Sequence, residues 1–300
     1  MRCSLGAGNK GVNVLKISVF YDHILQAAEQ GAKSVPELLQ MSRQAGIDGV
    51  EISLDTLCEN PEIPDMLKAA GLKVSCIYAF YDMGNRDEGE RSKLHIDMAE
   101  SVGAGRILVV PGFLTSGESE ELQDCCESYE RTADFMEHNV SVRKMAAGLC
   151  SIIMLANRKG IKVTVEDYDG RTSPLSRMNG VLWFLKNVPG LYFTLDMGNF
   201  AYSNEDVTKA HELLGDYVAH VHCKDRGEES GAPGGNNLGL RSVAVGEGYL
   251  PIAGLVKKLQ KTGYDGYLAI EHFDAPAQED CIRRSALFLR SLLKEQEENE

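Results

Sequence analysis

Eight short apolar runs, each bounded by turn signals, recur along the chain at 14–20, 49–53, 73–79, 106–110, 161–166, 191–196, 218–222 and 267–271. Segments with helical periodicity separate them, including 35–46 and 142–160, where Met145, Leu149, Ile152, Ile153 and Ala156 form an i, i+3, i+4 stripe. Glycines in "AGIDG", "AGLK", "RKGIK" and "TGYDG" end the preceding helix in a left-handed turn before the next strand begins. Eight strand-then-helix units in 300 residues predict an α/β fold, the (β/α)8 TIM barrel, for which about 250 residues is typical. An open doubly wound sheet would need a glycine-rich turn after its first strand, and "VFYDHILQAAEQGAKS" supplies none. The literal G-x-G-x-x-G match, "GAGNKG" at 6–11, precedes the first strand instead of following one, so it reads as part of a flexible N-terminal segment at 1–12. No linker rich in Pro, Gly or Ser divides the chain. Residues 1–300 are therefore expected to form one domain, with an acidic tail at 294–300.

Hydrophobic residues make up 43% of the chain, enough for a large core. The net charge of -13 comes with no basic stripe, which argues against a nucleic-acid partner. Eight cysteines at 3, 58, 76, 125, 126, 150, 223 and 281 include no C-x-x-C pair and read as reduced thiols. No basic-then-apolar leader opens the chain, and no run approaches the eighteen or so apolar residues of a membrane span. The expectation is a cytoplasmic protein without a membrane partner, and a homo-oligomer is compatible with the sequence.

Each of the last four strands finishes on a potential metal ligand: Glu166, Asp196, His222 and Glu271. In a barrel these project from one rim of adjoining strands, where active sites are built. Three carboxylates and one imidazole suit one divalent ion, Mn²⁺, Mg²⁺, Co²⁺ or Zn²⁺, and do not suit copper or iron–sulfur centres. The alternative is a set of salt bridges sealing the barrel top. In "AHVHCKD", positions i and i+2 share a face, so His220 lies one step deeper than His222, as an interior histidine or a partner behind the ligand. Two excursions, 113–141 and 226–241, follow strands four and seven. The second carries Gly227, Gly231, Gly234, Gly235 and Gly239, and is either a lid or an ordinary surface loop.

Taken in order, "KVTVEDY", "LDMGNF", "HVHCKD", "VGEG" and "YLAIEHF" resemble the sugar phosphate isomerase/epimerase family of xylose isomerase-like barrels, which includes ketose 3-epimerases and inosose dehydratases. The resemblance implies metal ligation by Glu166, Asp196, His222 and Glu271, with Glu166 and Glu271 also acting as acid and base. It implies a sugar or polyol-ketone substrate that loses and regains a proton beside its carbonyl through an enediolate. It also places Lys224, Asn199 and Arg241 against substrate; for Lys224, a solvated position or an ion pair with Asp225 is the alternative. Glu51, at the end of strand two, is a candidate for a sugar hydroxyl or for neighbouring backbone. Tyr21, Tyr81 and Trp183 are candidates for apolar walls, or for ordinary packing. Glu247 reads as a turn residue.

Three other functions compete with the isomerase or epimerase. An inosose dehydratase-like lyase would start from the same proton removal. An endonuclease IV-like nuclease would need histidines for two more metals, yet strands three and four end in "IYAF" and "VVPG", and position 199 is Asn. A non-catalytic sugar-binding barrel would have little use for four ligands and two glutamates.

Overall fold

The structure, a computed structural model, describes residues 15–31, 33–228 and 239–297. Eight parallel strands close a barrel: β1 (Lys16–Phe20), β2 (Gly49–Ser53), β3 (Lys73–Phe80), β4 (Arg106–Val110), β5 (Lys162–Glu166), β6 (Tyr192–Asp196), β7 (Val218–Gly227) and, after the short β8 (Arg241–Val243), β9 (Tyr267–Glu271). Closure runs through β6–β7, β7–β9 and β9–β1 pairing, so β3 and β7 face each other across the barrel. Each expected run forms one barrel strand. The core between strands and helices is aliphatic, with Ile17, Ile52, Val163 and Ile270 among its buried side chains.

Three expectations change. Strand β7 continues five residues past His222 to Gly227, because Lys224 and Arg226 keep the inward alternation and are buried despite their charge. Its end pairs antiparallel with β8, through Asp225 with Val243 and Gly227 with Arg241. The excursion at 113–141 is helical in large part, with helices Ser116–Cys125 and Tyr129–His138, the first opened by a Thr115–Glu118 capping box. Helix Val140–Asn157 is, by length and hydropathy, apolar enough to cross a membrane, contrary to the sequence reading. Its stripe of Val142, Met145, Leu149, Ile152, Ile153 and Ala156 is buried inside the protein, as expected of a helix packed on a barrel. Segment 1–12, the end of the acidic tail, and Gly231, Gly234 and Gly235 of the suggested lid lie outside the described residues.

One buried histidine couples the fold to pH. Burial holds His95 neutral and lowers its pKa to about 4. One ring nitrogen, Nε2, lies 3.1 Å from the Ile77 carbonyl, and Nδ1 lies 3.0 Å from the Tyr81 hydroxyl. The carbonyl only accepts, so Nε2 carries the proton and Nδ1 accepts from Tyr81. In the unfolded chain the same ring takes up a proton near pH 6.5, so this stability, full at neutral pH, is lost as pH falls toward 4, by on the order of 3 kcal/mol. Urea titrations of wild type and His95→Gln between pH 7 and pH 4 should show a shallower pH dependence in the variant.

Candidate metal centre and active site

Neighbouring strands β5, β6, β7 and β9 bring Glu166, Asp196, His222 and Glu271 together at the carboxyl rim of the barrel. The Nδ1 atom of His222 lies 3.2 Å from Glu166 Oε2, 3.1 Å from Glu271 Oε2 and 3.7 Å from Asp196 Oδ2. His222 Nδ1, Asp196 Oδ2 and Glu271 Oε2 are all buried without a hydrogen-bond partner. Behind the ring, His222 Nε2 is 3.2 Å from Glu51 Oε1, and His220 Nε2 is 2.7 Å from Glu51 Oε2. A carboxylate of this kind only accepts, so Glu51 draws the proton of His222 to Nε2 and turns the Nδ1 lone pair toward the three acids.

Burial opposes a charge on His222, but Glu51 with Asp196, Glu166 and Glu271 outweighs it and raises the pKa of the ring well above its usual value, so the acids call for a positive charge at Nδ1: a proton in the metal-free protein, or a cation in its place. A divalent ion with bonds of about 2.1 Å spaces neighbouring donors roughly 3.0–3.4 Å apart. Glu271 and Glu166, at 3.1 and 3.2 Å from Nδ1, fall in that range and Asp196 lies just beyond it at 3.7 Å; Glu166, Asp196 and His222 offer ligand atoms within 4.8 Å of one another, so these residues suit such an ion with Glu271 beside them.

The charges are arranged unevenly. Burial raises the Glu166 pKa, reinforced by Glu271 and Asp196 and only partly opposed by His222. Burial acts the same way on Glu271, but Lys224 and His222 outweigh it and keep that carboxyl ionised. Glu51 is buried, yet His222 and His220 hold its pKa well below the usual range. Lys224 donates to Asn199 Oδ1 at 2.8 Å and pairs with Glu271 Oε1 at 2.5 Å; Asp196, Glu271 and Asp169 raise its pKa in spite of burial. Asp225 does not pair with Lys224. It lies on the opposite face, where its carboxylate accepts from the backbone N–H groups of Arg226, Gly246, Gly248 and Leu250. A side chain at Gly248 would collide with that carboxylate, so "VGEG" is a backbone cradle for Asp225. Glu247, at the turn, pairs with Arg284 on the surface.

A cavity of about 660 Å³ opens above the cluster. Glu166, His222, Glu271, Lys224, Asn199 and Arg241 all line it. Glu51 does not: it is fully buried beneath His222, so its candidacy for a sugar hydroxyl is corrected to support of the two histidines. His220 is fully buried behind the cluster, as expected. Tyr21, Tyr81 and Trp183 are buried and absent from the wall. The rings that line it are Phe20, Tyr78, Phe80, Tyr168, Tyr202 and Phe273. Sequence reading also passed over Asp169 and Arg226. Asp169 Oδ2 lies 3.7 Å from Lys224 Nζ and 3.8 Å from Arg226 Nη2, distances that leave both cations short of a direct hydrogen bond to it. The inward parity of β7 after His222 was the available signal for Arg226.

A closed barrel with its polar groups gathered at the carboxyl rim, over an open cavity, has the build of the TIM-barrel enzymes. The chain belongs to the xylose isomerase-like TIM barrel family, whose model matches residues 39–292. It is 25% identical to a putative L-ribulose-5-phosphate 3-epimerase of Escherichia coli (strain K12), over 83% of this chain and 87% of that protein. It is 26% identical to an inosose dehydratase of Clostridium perfringens, over 72% of this chain and 74% of that protein. In fold it is similar to the D-allulose 3-epimerase from Methylomonas sp. solved in complex with D-allulose, with a TM-score of 0.65 and 17% identity over 93% of this chain and 97% of that one.

Proposed function

We propose that this protein is a divalent-metal-dependent sugar isomerase or epimerase, with Glu166, Asp196, His222 and Glu271 as metal ligands and Glu166 and Glu271 as the acid and base. The observation that carries the reading is the set of unpartnered donor atoms around His222 Nδ1. When bound, the ion, one of Mn²⁺, Mg²⁺, Co²⁺ or Zn²⁺, supplies positive charge against the oxygen that develops beside the reacting carbon. Glu166 and Glu271 stand on the two outer strands of the four-strand arc, so a sugar carbon seated between them presents opposite faces to the two carboxyls. One removes the proton and the other returns it. Lys224 keeps Glu271 ionised, and Lys224, Asn199 and Arg241 contact the substrate from the cavity wall.

Incubating candidate ketoses and inososes with the protein in D₂O tests the reading, with mass spectrometry following deuterium on the carbon beside the carbonyl. Labelled sugar with its formula otherwise intact is the expected product. Similarity to an inosose dehydratase supports a second reading, a lyase, which would release a product lighter by one water. The absence of deuterium in every candidate would count against both.

Glu51 tests the metal assignment from behind. Glu51→Gln keeps the size of the side chain but weakens its hold on the His222 N–H, and should weaken metal binding about 10–100-fold as read by titration with Mn²⁺. Nucleic acid is not part of the proposal: no cleavage of abasic-site duplex is expected with added zinc, and cleavage that disappears in His222→Ala would reverse that. The seven described cysteines are free, which supports the proposed cytoplasmic setting, and we treat 1–300 as one working domain.

A further inference from the structure

The side of the cavity mouth away from the charged cluster is built differently. Phe80, at the end of β3, is 46% exposed, and Phe113, just after β4, is 36% exposed; both are large apolar rings left open to solvent. Tyr168, just after β5, links them edge-on, with ring centroids 6.2 Å from Phe80 and 5.3 Å from Phe113. Tyr78 meets Phe80 at 6.3 Å and Phe20 at 5.6 Å, so an aromatic shelf runs from beside His222 to beyond the rim. Exposed rings contiguous with a polar cavity are a recognised mark of a binding surface.

Cations are absent from that side of the wall among the described residues. The three that line the cavity, Lys224, Arg226 and Arg241, stand on β7 and β8, across the barrel from β3. Arg91, near the shelf, is taken up by a two-pronged pair with Asp55, at 2.9 and 2.8 Å, and by the Phe80 carbonyl. A phosphate seated over Phe80 and Phe113 would face rings first, with Lys224 and Arg226 on the far side of Tyr168, beside Asp169. The space is also that of a ligand larger than a free hexose: about 660 Å³ lies within the roughly 300–1,000 Å³ of pockets for drug-sized ligands.

We infer that Phe80, Tyr168 and Phe113 form a subsite for a flat apolar ring carried by the sugar, so that the substrate is an uncharged aryl glycoside whose sugar ring carries a ketone, and not a sugar phosphate; unoxidised glucosides serve as its binding probes. This rests on the proposal that the cavity takes a sugar at the Glu166–Glu271 cluster, and it goes further by naming what the sugar carries. The ring would lie on the open face of Phe80 and against Phe113, in the offset or edge-on arrangements that aromatic pairs favour.

Binding of methyl β-D-glucopyranoside, phenyl β-D-glucopyranoside and D-glucose 6-phosphate to the full chain, with and without Mn²⁺, tests it by calorimetry and saturation-transfer NMR. The phenyl glycoside should bind about tenfold more tightly than the methyl one, with its ring protons the most strongly saturated. Phe80→Ala and Phe113→Ala, at exposed positions where folding is easily retained and checked by circular dichroism, should each bring that ratio to within about twofold of unity. Equal affinity for the two glycosides, a ratio unchanged in both variants, or tightest binding of the phosphate would each overturn the inference. No turnover is read, so failure of the proton-transfer reading would appear only in the D₂O experiment and leave this ratio intact.

Discussion

Glu166→Gln and Glu271→Gln are each expected to cut deuterium incorporation beside the carbonyl by about 10²–10⁴-fold, the usual worth of a positioned acid or base. The amide retains an oxygen that can face the metal but accepts no proton at neutral pH. Losing a negative charge also weakens the site for the ion, so occupancy has to be measured in the same samples. The two variants should differ in a second respect. Lys224 pairs with Glu271 at 2.5 Å and has no pair with Glu166, so Glu271→Gln alone removes the shortest ion pair of a buried ammonium, leaving Asp196 and Asp169 at 3.6 and 3.7 Å. It should therefore lower the melting temperature more than Glu166→Gln does. Full exchange in both variants would remove the two-glutamate mechanism.

His222→Ala should lose the metal altogether, from one equivalent per chain to background by elemental analysis. It should also destabilise the apo-protein. The ring sits between Glu51 on one side and three carboxylates on the other, and burial is nearly complete for all of them. Removing it leaves Glu51 with His220 and brings the acids together with nothing between them, a loss on the order of 3–5 kcal/mol for breaking a buried charge pair. Chemical denaturation of metal-free wild type and variant reads that difference. Stoichiometric metal retained by His222→Ala would break the ligand assignment.

The barrel was legible because its strands are buried on both sides and read as short apolar runs, with glycines such as Gly46, Gly71, Gly160 and Gly263 in the left-handed conformation at helix ends. The convergence of Glu166, Asp196, His222 and Glu271 was legible for the same reason: in a closed barrel the strand ends share one rim, and His222, though five residues short of the end of β7, pairs in register with Asp196 at the end of β6. Depth was not legible. Glu51 also points inward, but it is the middle residue of β2 and sits below His222, and a two-residue period carries no information about height along the barrel axis. Charge misled at β7, where Lys224 to Arg226 looked like the start of a loop. Each charge in fact finds a buried partner: Glu271 for Lys224, backbone carbonyls of Gly198 and Leu240 for Arg226, and the "VGEG" amides for Asp225. Of the two readings open for Tyr21, Tyr81 and Trp183, wall or ordinary packing, the second holds, while the strand-end rule that found the acids applied equally to Phe20 and Phe80. These two rings close β1 and β3 and line the cavity.

The grip of Asp225 on residues 246–250 fixes both feet of the segment between β7 and β8, since the same aspartate sits in the antiparallel stem with Val243. Lys224 is held by Asn199 and Glu271, outside the joining segment, while Arg226 also donates to the Leu240 carbonyl at the segment's far end. The stretch between those fixed ends is a graft point. A change of length or sequence between the stem and Leu240 leaves the pairing of Asp225 with Val243 intact, so β7 keeps its register while the segment varies.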